Sequence, residues 1–359
     1  MKRPVRTLFY GLTHEHAEGK FASLRRMPDE FEIVGVVDDR PRGSKFYVDV
    51  QLEPRDCPIV SEEEAFDIPD VEAVFVETTN SDLMRVAAEC AERGIPMHCD
   101  KPCGEAMEPY ASIVETCRAK NIQMQIGYMY RANPAVQFAW RAVREGWLGD
   151  IVFVEADMNH DYGKDGYADY ISSFHGGILY NLGCHLVDLV SPVLDGLPVR
   201  VTADIADAPG DPAGSRTRGA AFLEWPTADV VIRTSSRAPG GLPCRRLRVD
   251  GTNGTIDLCP IERFDGQNLT LSMTLAKPAG GYASGCNVID FGVQSDRYAG
   301  QLREFAQIVR GEMPNDPAAY DRDLRVHRIL LAMCSSNHAE RVENLHDLHV
   351  PHGSIKTGA

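Results

Sequence analysis

The stretch YGLTHEHA (residues 10–17) ends a short apolar strand, Leu8-Phe9-Tyr10, and runs into Gly11, Thr13, His14 and His16. Two folds compete for it. A His-x-His pair after a strand is half of a metal site. A glycine closing a first strand opens a dinucleotide-binding turn. Laid on Gly11, the G-x-G-x-x-G pattern puts Thr13 and His16 at its second and third glycine positions. A threonine hydroxyl there can donate to a phosphate, whereas His16 adds bulk.

The segments around this turn favour the second fold. FEIVGVV (31–37) and VEAVFVET (71–78) are continuous apolar runs, the mark of buried parallel strands. Between and after them come helical patterns at 14–26, 81–94 (stopping at Gly94) and 108–121, and short strands at 95–99 and 122–128. Alternating β and α units of this size imply an α/β, doubly wound parallel sheet. After residue 128 the character changes. A helix at 134–149 leads into the alternating DIVFVEADM (150–158), then VRVTADIA, GAAFLEW, DVVIRTSS, RRLRVDGT and GTIDLC, separated by Gly, Pro, Asn and Asp clusters. That pattern reads as an α+β unit with an open, mostly antiparallel sheet. Helices are expected near 176–195 and 298–311 and over 321–342. The expected division is therefore 1–128 for a Rossmann dinucleotide-binding domain and 129–359 for a substrate and oligomerisation domain.

At 359 residues, two domains are the default at roughly 100–200 residues each. The formal net charge of −15 argues against a nucleic-acid partner, which needs clustered basic surface. Ten cysteines without a CxxC pair read as free buried thiols in a reducing compartment. The apolar run Leu8–Leu12 is too short for a secretory signal, and no run of about 18 apolar residues is present. No membrane association and a cytoplasmic location are the expectations.

Asp38 closes the second strand, 27 residues after Gly11 and 22 after His16. An acidic residue about 20 residues past the glycine turn accepts hydrogen bonds from the adenosine ribose. It favours NAD, because a carboxylate repels a 2′-phosphate; Arg40 nearby leaves NADP open. A strand-end turn residue is the plain alternative for Asp38.

Two further segments decide the reading: MHCDKPCG (97–104) and HGGILYNLGCHLVDLV (175–190). Together with VEAVFVETTN, GYMYRANPAVQFAWRAVREGWLGDIVFVEA, VDGTNGTIDL and DLRVHRILLAMCSS, they make nearly the whole chain resemble the glucose–fructose oxidoreductase / inositol dehydrogenase / rhizopine-catabolism (Gfo/Idh/MocA) family. The resemblance implies a Rossmann domain followed by an open-sheet domain, and NAD(P)-dependent oxidation of a sugar, cyclitol or related polyol. It implies Lys101 as the catalytic lysine and His185 as the base. It also implies a cofactor site drawn from Gly11, Thr13, His14, His16, Asp38, Arg40, Thr78, Thr79, Asn80, Asp100, Lys101 and Pro102, with Pro102 aiming Lys101 into the cleft. By resemblance the open sheet face makes a homodimer or homotetramer. The residue types suit the chemistry: an ammonium stabilises charge developing on the reacting oxygen, and an imidazole titrates near the operating pH. Taken singly, a lysine before a turn proline and a helix histidine are ordinary.

The family usually has an aspartate four residues before this histidine; here it is Asn181. On one continuous helix Asn181, His185 and Asp188 would share a face. Asn181 can bond a substrate hydroxyl, but it cannot hold a charge beside His185. Arg131, Asp157, His160 and Tyr162, with Lys101, Asn181 and His185, are the substrate-binding candidates. His175 is a weaker one.

Three other readings stand beside this one. A cofactor-binding protein weakened as a catalyst would account for the altered glycine turn and Asn181. A sugar hydrolase or lyase would use NAD transiently. A metal-dependent amidohydrolase would use His14 and His16 with ligands such as His98, Lys101, His160, His175 or His185, but it needs a (β/α)₈ barrel that the antiparallel second half does not support; no metal is expected. In the dinucleotide reading, His14 or His16 adds positive charge at the phosphates, so cofactor affinity falls as pH rises through a histidine pKa.

Overall fold

The structure is a computed structural model, described over residues 3–40, 56–161 and 166–335. Its first sheet has strands β1 (Val5–Tyr10), β2 (Phe31–Val37), β3 (Ile59–Val60), β4 (Ala73–Val76), β5 (Met97–Cys99) and β6 (Met124–Ile126). They lie in the order β3-β2-β1-β4-β5-β6, every neighbouring pair parallel. β4, β5 and β6 are buried throughout, as expected where helices cover both faces. Helices α1 (Ala17–Arg25), α2 (Glu62–Ala65), α3 (Leu83–Arg93) and α4 (Tyr110–Lys120) connect the strands. Because the strands are parallel, their carboxyl ends share one edge. That edge carries Gly11, Asp38, Glu77 and Asp100. Strand order reverses between β1 and β4, and ligands of doubly wound sheets bind in the crevice outside that point.

The first helix starts at Ala17, not at His14. The His14 N–H donates to the Glu77 carbonyl at 3.0 Å, which holds this part of the chain in the turn. α3 stops at Gly94, whose φ of +77° makes a left-handed cap.

The crossover passes through a 3₁₀ turn (Met129–Ala132) into α5 (Pro134–Arg144). Asn133 caps this helix by accepting from the Ala135 and Val136 N–H groups at 2.9 and 3.3 Å. The helix ends five residues before the expected 149, and Gly146, at φ +73°, turns the chain away. The second sheet contains β7 (Ile151–Asn159), β8 (Arg200–Ala206), β9 (Arg218–Glu224), β10 (Asp229–Ser235), β11 (Arg246–Gly251), β12 (Gly254–Leu258), β13 (Asn268–Leu275) and β14 (Gly285–Val293). The order is β14-β13-β12-β11-β7-β10-β9-β8, antiparallel except for the β7–β10 pair. β13 and β14 were not among the expected strands, although NLTLSMTL alternates strictly between exposed and buried.

Helices α6 (Tyr167–Ser172), α7 (Gly177–Asn181), α8 (Gly183–Val190), α9 (Ala299–Val309) and α10 (Pro317–Ser335) complete the described chain. α7, α8 and α10 pack on one face of the second sheet. The other face is solvated and laced with ion pairs such as Arg246–Asp257 at 2.6 Å and Arg248–Asp250 at 3.0 Å. The single helix expected over 176–195 is two. The His185 N–H bonds three residues back to the Leu182 carbonyl at 3.1 Å, so the Asn181 carbonyl is released from the helix ladder. It accepts instead from Cys184 Sγ at 3.1 Å and Lys101 Nζ at 3.4 Å. The end of the last expected helix, past 335, lies outside the described residues. All ten cysteines are free, and Cys244, Cys259 and Cys286 are exposed rather than buried, because they sit at strand ends and on β14, outside the core. No helix among the described residues is long and apolar enough to cross a membrane.

Asn133 also donates to the Ile261 carbonyl at 2.9 Å, tying the crossover to the second sheet. Asn133→Ala removes the cap and strands a buried carbonyl, so it should cost about 2 kcal/mol in urea-induced unfolding. A loss below about 0.5 kcal/mol would show that the cap is replaceable.

Candidate active site

Gly11 has φ +99°, and a Cβ on it would lie 2.6 Å from Thr78 N and 2.7 Å from Glu77 C. Only glycine lets β1 turn this close to β4. The turn is then tied to the end of β2 by Asp39, not Asp38. The Leu12 N–H donates to Asp39 at 2.7 Å, and the Thr13 hydroxyl donates to its other oxygen. Burial raises the Asp39 pKa, and these two donors only partly offset it. Asp38 is paired with Arg40, Nε to Oδ1 at 2.8 Å.

Behind the turn lies a buried charge network. Lys20 has no exposed surface; its ammonium sits 2.8 Å from Glu77 and 2.6 Å from Asp100. His14 Nδ1 and His16 Nδ1 each lie 3.1 Å from the same Asp100 oxygen. The second ring nitrogen of His14 contacts the Lys101 carbonyl at 3.1 Å. Burial works against the charges of Asp100 and Lys20, but their partners outweigh it: the carboxyl is held well below its usual range and the ammonium is raised. Glu77, more weakly compensated, is raised well above the carboxylate range by burial. His14, His16 and Asp100 have the mutual spacing of metal ligands, all within 4.8 Å. The Lys20 ammonium already serves that aspartate as its cation. His16 is lowered to about 4, by burial first and with Lys101 adding to it. It is therefore neutral near pH 7, contrary to the charge expected of it at the phosphates.

Lys101 leaves the end of β5 fully buried, followed by a cis peptide to Pro102. Its ammonium is 2.7 Å from Glu15 Oε1. Burial would lower the lysine, but the Glu15 carboxylate reverses this and holds it well above the ordinary range. Burial likewise pushes Glu15 up, and Lys101, His16 and His14 together bring it down to about 2. Glu15 Oε2 accepts from Asn181 Nδ2 at 3.4 Å. A carboxylate thus stands beside position 181, supplied by the turn rather than by the helix. Glu15 and His16 line a cavity of about 130 Å³ with Met129, Met158, His160, Leu182, His185, Arg245, Arg297 and Tyr298. His185 enters it with Nδ1 buried and unpartnered among the described residues. Burial, then Lys101 and His16, keep its pKa well below the usual value.

The other candidates divide. His160 faces this cavity and is lowered to about 2 by burial and by Arg245. Asp157 does not: it points to the opposite side of β7 and pairs with Arg233 at 3.0 Å, because alternate strand residues face opposite ways. Arg131 is held by Asp188 at 2.5 Å and Asp323 at 2.6 Å, and so locks the crossover to α8 and α10 instead of meeting a ligand. Asp188 is buried in that triad. Thr78 is buried beside Gly11, whereas Thr79 and Asn80 line a second cavity of about 790 Å³ with Tyr170 and Tyr180. His175 is exposed, with its N–H on Glu105. Tyr162 lies outside the described residues. Sequence reasoning missed Glu15, Lys20, Asp39, Arg245, Arg297 and Tyr298. Glu15 stood inside the stretch first read, but no pattern marks a residue whose partner is 86 positions away.

Residues 10–128 match the oxidoreductase family with an NAD-binding Rossmann fold, and residues 136–257 match the GFO/IDH/MocA C-terminal domain. The chain belongs to the Gfo/Idh/MocA family. Levoglucosan dehydrogenase of Pseudarthrobacter phenanthrenivorans is 27% identical over 128 residues, 34% of this chain and 33% of that protein. The chain therefore matches about a third of that relative's length. D-xylose 1-dehydrogenase (NADP(+)) 2 of Haloferax volcanii is 27% identical over 252 residues, 68% of this chain and 72% of that one. An inositol dehydrogenase homolog from Azotobacter vinelandii, complexed with NADH and myo-inositol, superposes with TM-score 0.72 over 93% of this chain and 96% of its own, at 17% identity. That last likeness is one of fold. The fold also removes the barrel that the amidohydrolase reading required. As a Gfo/Idh/MocA chain it carries an NAD-binding domain, and Gly11 gives it the close turn of β1 against β4 with which a dinucleotide-binding fold opens. One local departure is Asp39, which already holds the Leu12 and Thr13 donors that would face a phosphate.

Four histidines stay neutral when folded: His16 (about 4), His98 (about 3), His160 (about 2) and His185. Unfolded, each titrates near 6.5. Their folded pKa values lie below that, so their stabilising share is complete above pH 6.5 and is lost as pH falls. Each should remove about 1.4 kcal/mol per pH unit between pH 6.5 and about 4. Urea unfolding measured at steps across that window checks this; a flat profile would show that these rings are charged or exposed.

Proposed function

We propose that the protein is an NAD(P)-dependent dehydrogenase acting on a hydroxyl carbon of a sugar, cyclitol or related polyol. One observation carries the reading: His185, from the second domain, and Glu15, from the Rossmann edge, line the same small cavity, and the Lys101 ammonium stands directly behind Glu15. Nicotinamide, when bound, supplies the hydride acceptor. Gly11 and the amino end of α1 would hold its phosphates and Asp38 the adenosine ribose, with Thr78 beside the turn; the Thr13 hydroxyl would reach a phosphate only by leaving Asp39. Asp38 supports NAD over NADP, and its pairing with Arg40 lessens the preference.

The chain's own groups have divided roles. The Lys101 ammonium, kept charged by Glu15, stabilises negative charge developing on the substrate oxygen. His185 is uncharged at neutral pH and can accept the hydroxyl proton at its unpartnered Nδ1. Asn181 sits beside Glu15 and offers a substrate hydroxyl its Oδ1, which is buried without a partner among the described residues. Glu15 takes over the electrostatic task of the usual aspartate, nearer to the lysine than to the histidine. For the assembly we propose a homodimer or homotetramer through the open face of the second sheet, where Val288 and Val293 are exposed.

The decisive experiment is a titration with NAD and NADP, followed by a sugar and polyol panel read at the absorbance of the reduced nucleotide. Lys101→Met should lower kcat by roughly 100-fold or more, with nucleotide affinity changed by less than about threefold. Failure to bind either nucleotide, or full activity in Lys101→Met, would overturn the reading. Asn181→Asp should raise the pKa governing the pH–rate profile by roughly one unit, because a nearby carboxylate favours the imidazolium. An unchanged profile would remove His185 from the base role.

A further inference from the structure

The two rings of the His14-x-His16 pair are held differently. His14 has both ring nitrogens engaged with backbone: Nε2 donates to the Lys101 carbonyl at 3.1 Å, and Nδ1 accepts from the His16 N–H at 3.1 Å. His16 has one nitrogen engaged with a side chain. Its Nδ1 lies 3.2 and 3.1 Å from the two oxygens of Asp100. Asp100 is ionised and can only accept, so Nδ1 carries the proton and donates it. Nε2 is left with a lone pair. It stands 3.9 Å from Glu15 Oε1, beyond a hydrogen bond, and both residues line the catalytic cavity. A carboxylate behind one imidazole nitrogen, with a cavity before the ring, is the arrangement by which histidine moves protons.

His185 has no such support. Its Nδ1 is buried without a partner among the described residues, and its ring meets the rings of Tyr128, Tyr130 and His16. Dehydrogenation leaves one proton behind at each turnover. The hydride departs from carbon with its electron pair for nicotinamide, the carbon–oxygen double bond forms, and the hydroxyl proton goes to His185. That proton has to reach water before the next turnover. His16 is the one imidazole in ring contact with His185 among the described residues, with centroids 6.0 Å apart, and its side chain is 12% exposed. The gap is too wide for a direct hydrogen bond and suits one bridging water.

We propose that His16, fixed at Nδ1 by Asp100, is the second member of a proton relay: it receives at Nε2 the proton that His185 takes from the substrate and releases it to water in the cavity. The inference rests on the dehydrogenase reading. A proton arriving at Nε2 makes an imidazolium beside Asp100 and Glu15, whereas the same charge on His185 faces Lys101 first. Asp100, Lys101, Glu15 and His14 from the Rossmann edge, His185 from α8 and Tyr298 before α9 are the groups around the His16 ring. Burial, with Lys101 adding to it, lowers His16 to about 4 against the pull of Asp100. The ring therefore does not keep the proton near pH 7 but hands it on.

The test uses the full chain at pH 7 with saturating nucleotide and the sugar or polyol of the panel that is oxidised fastest. His16→Gln fills the space without a titrating nitrogen and should lower kcat roughly 10-fold or more, with KM for the polyol changed by less than about threefold. His16→Ala should lose as much and be rescued by small bases of similar shape, imidazole and its methyl and halogen derivatives. The rescue should grow with the pKa of the added base; filling of space alone would follow size instead. In the unaltered chain, imidazole ¹⁵N shifts should show His16 protonated at Nδ1 and bare at Nε2. An unreduced kcat in His16→Gln, rescue indifferent to base pKa, or the opposite tautomer would each overturn the relay. The two proposals are told apart by the unaltered chain. If it oxidises no member of the panel with either nucleotide, the dehydrogenase reading falls and the relay with it. If it is active and His16→Gln is equally so, the relay alone falls.

Discussion

The rest of the site depends on an ammonium with no water around it. Lys20 carries its charge from α1 into the space between the ends of β4 and β5, where Glu77 and Asp100 take it. Breaking a buried pair of this kind by deleting one partner costs about 3–5 kcal/mol, because the survivor stays buried and charged. The arrangement is thus rigid. It holds Asp100 in place, and Asp100 in turn accepts from the Lys101 N–H at 2.7 Å and faces both His14 and His16. Lys20 therefore sets the direction in which Lys101 leaves the sheet.

A second ion pair stands in front of the first. Glu15 meets Lys101 on the cavity side and Asn181 across the interface between the two sheets. The two pairs have different consequences. Lys20, Glu77 and Asp100 are sealed from water and act on position. Glu15 lines the cavity and acts on charge: it keeps Lys101 protonated and places beside position 181 a carboxylate that Asn181 cannot supply. The chain has moved the negative charge from the helix to the turn.

The break between α7 and α8 connects local geometry to the site. One hydrogen bond from His185 back to Leu182 tightens the helix by a residue and frees the Asn181 carbonyl for Lys101. A continuous helix would have kept that carbonyl inside its own ladder. Gly177 makes the approach of α7 workable, since a Cβ there would lie 2.3 Å from Arg216 Cβ.

Periodicity alone determined the parallel first sheet and the antiparallel second one, because burial on both faces and burial on one face write different patterns into a strand. Gly11, Lys101 and His185 were legible as well, each carried by a short motif. β13 was missed although its alternation is strict, and β14 was missed with a pattern that breaks at both ends. What only the tertiary structure decided were the pairings. Asp39 and not Asp38 ties the turn, Arg131 is consumed by Asp188 and Asp323, and Asp157 faces away from the cleft. The reason is physical. A charged side chain is defined by the partner it finds across the fold, and Glu15 with Lys101, or Arg245 with Glu262 and Arg297, become partners only after two sheets have brought distant segments together.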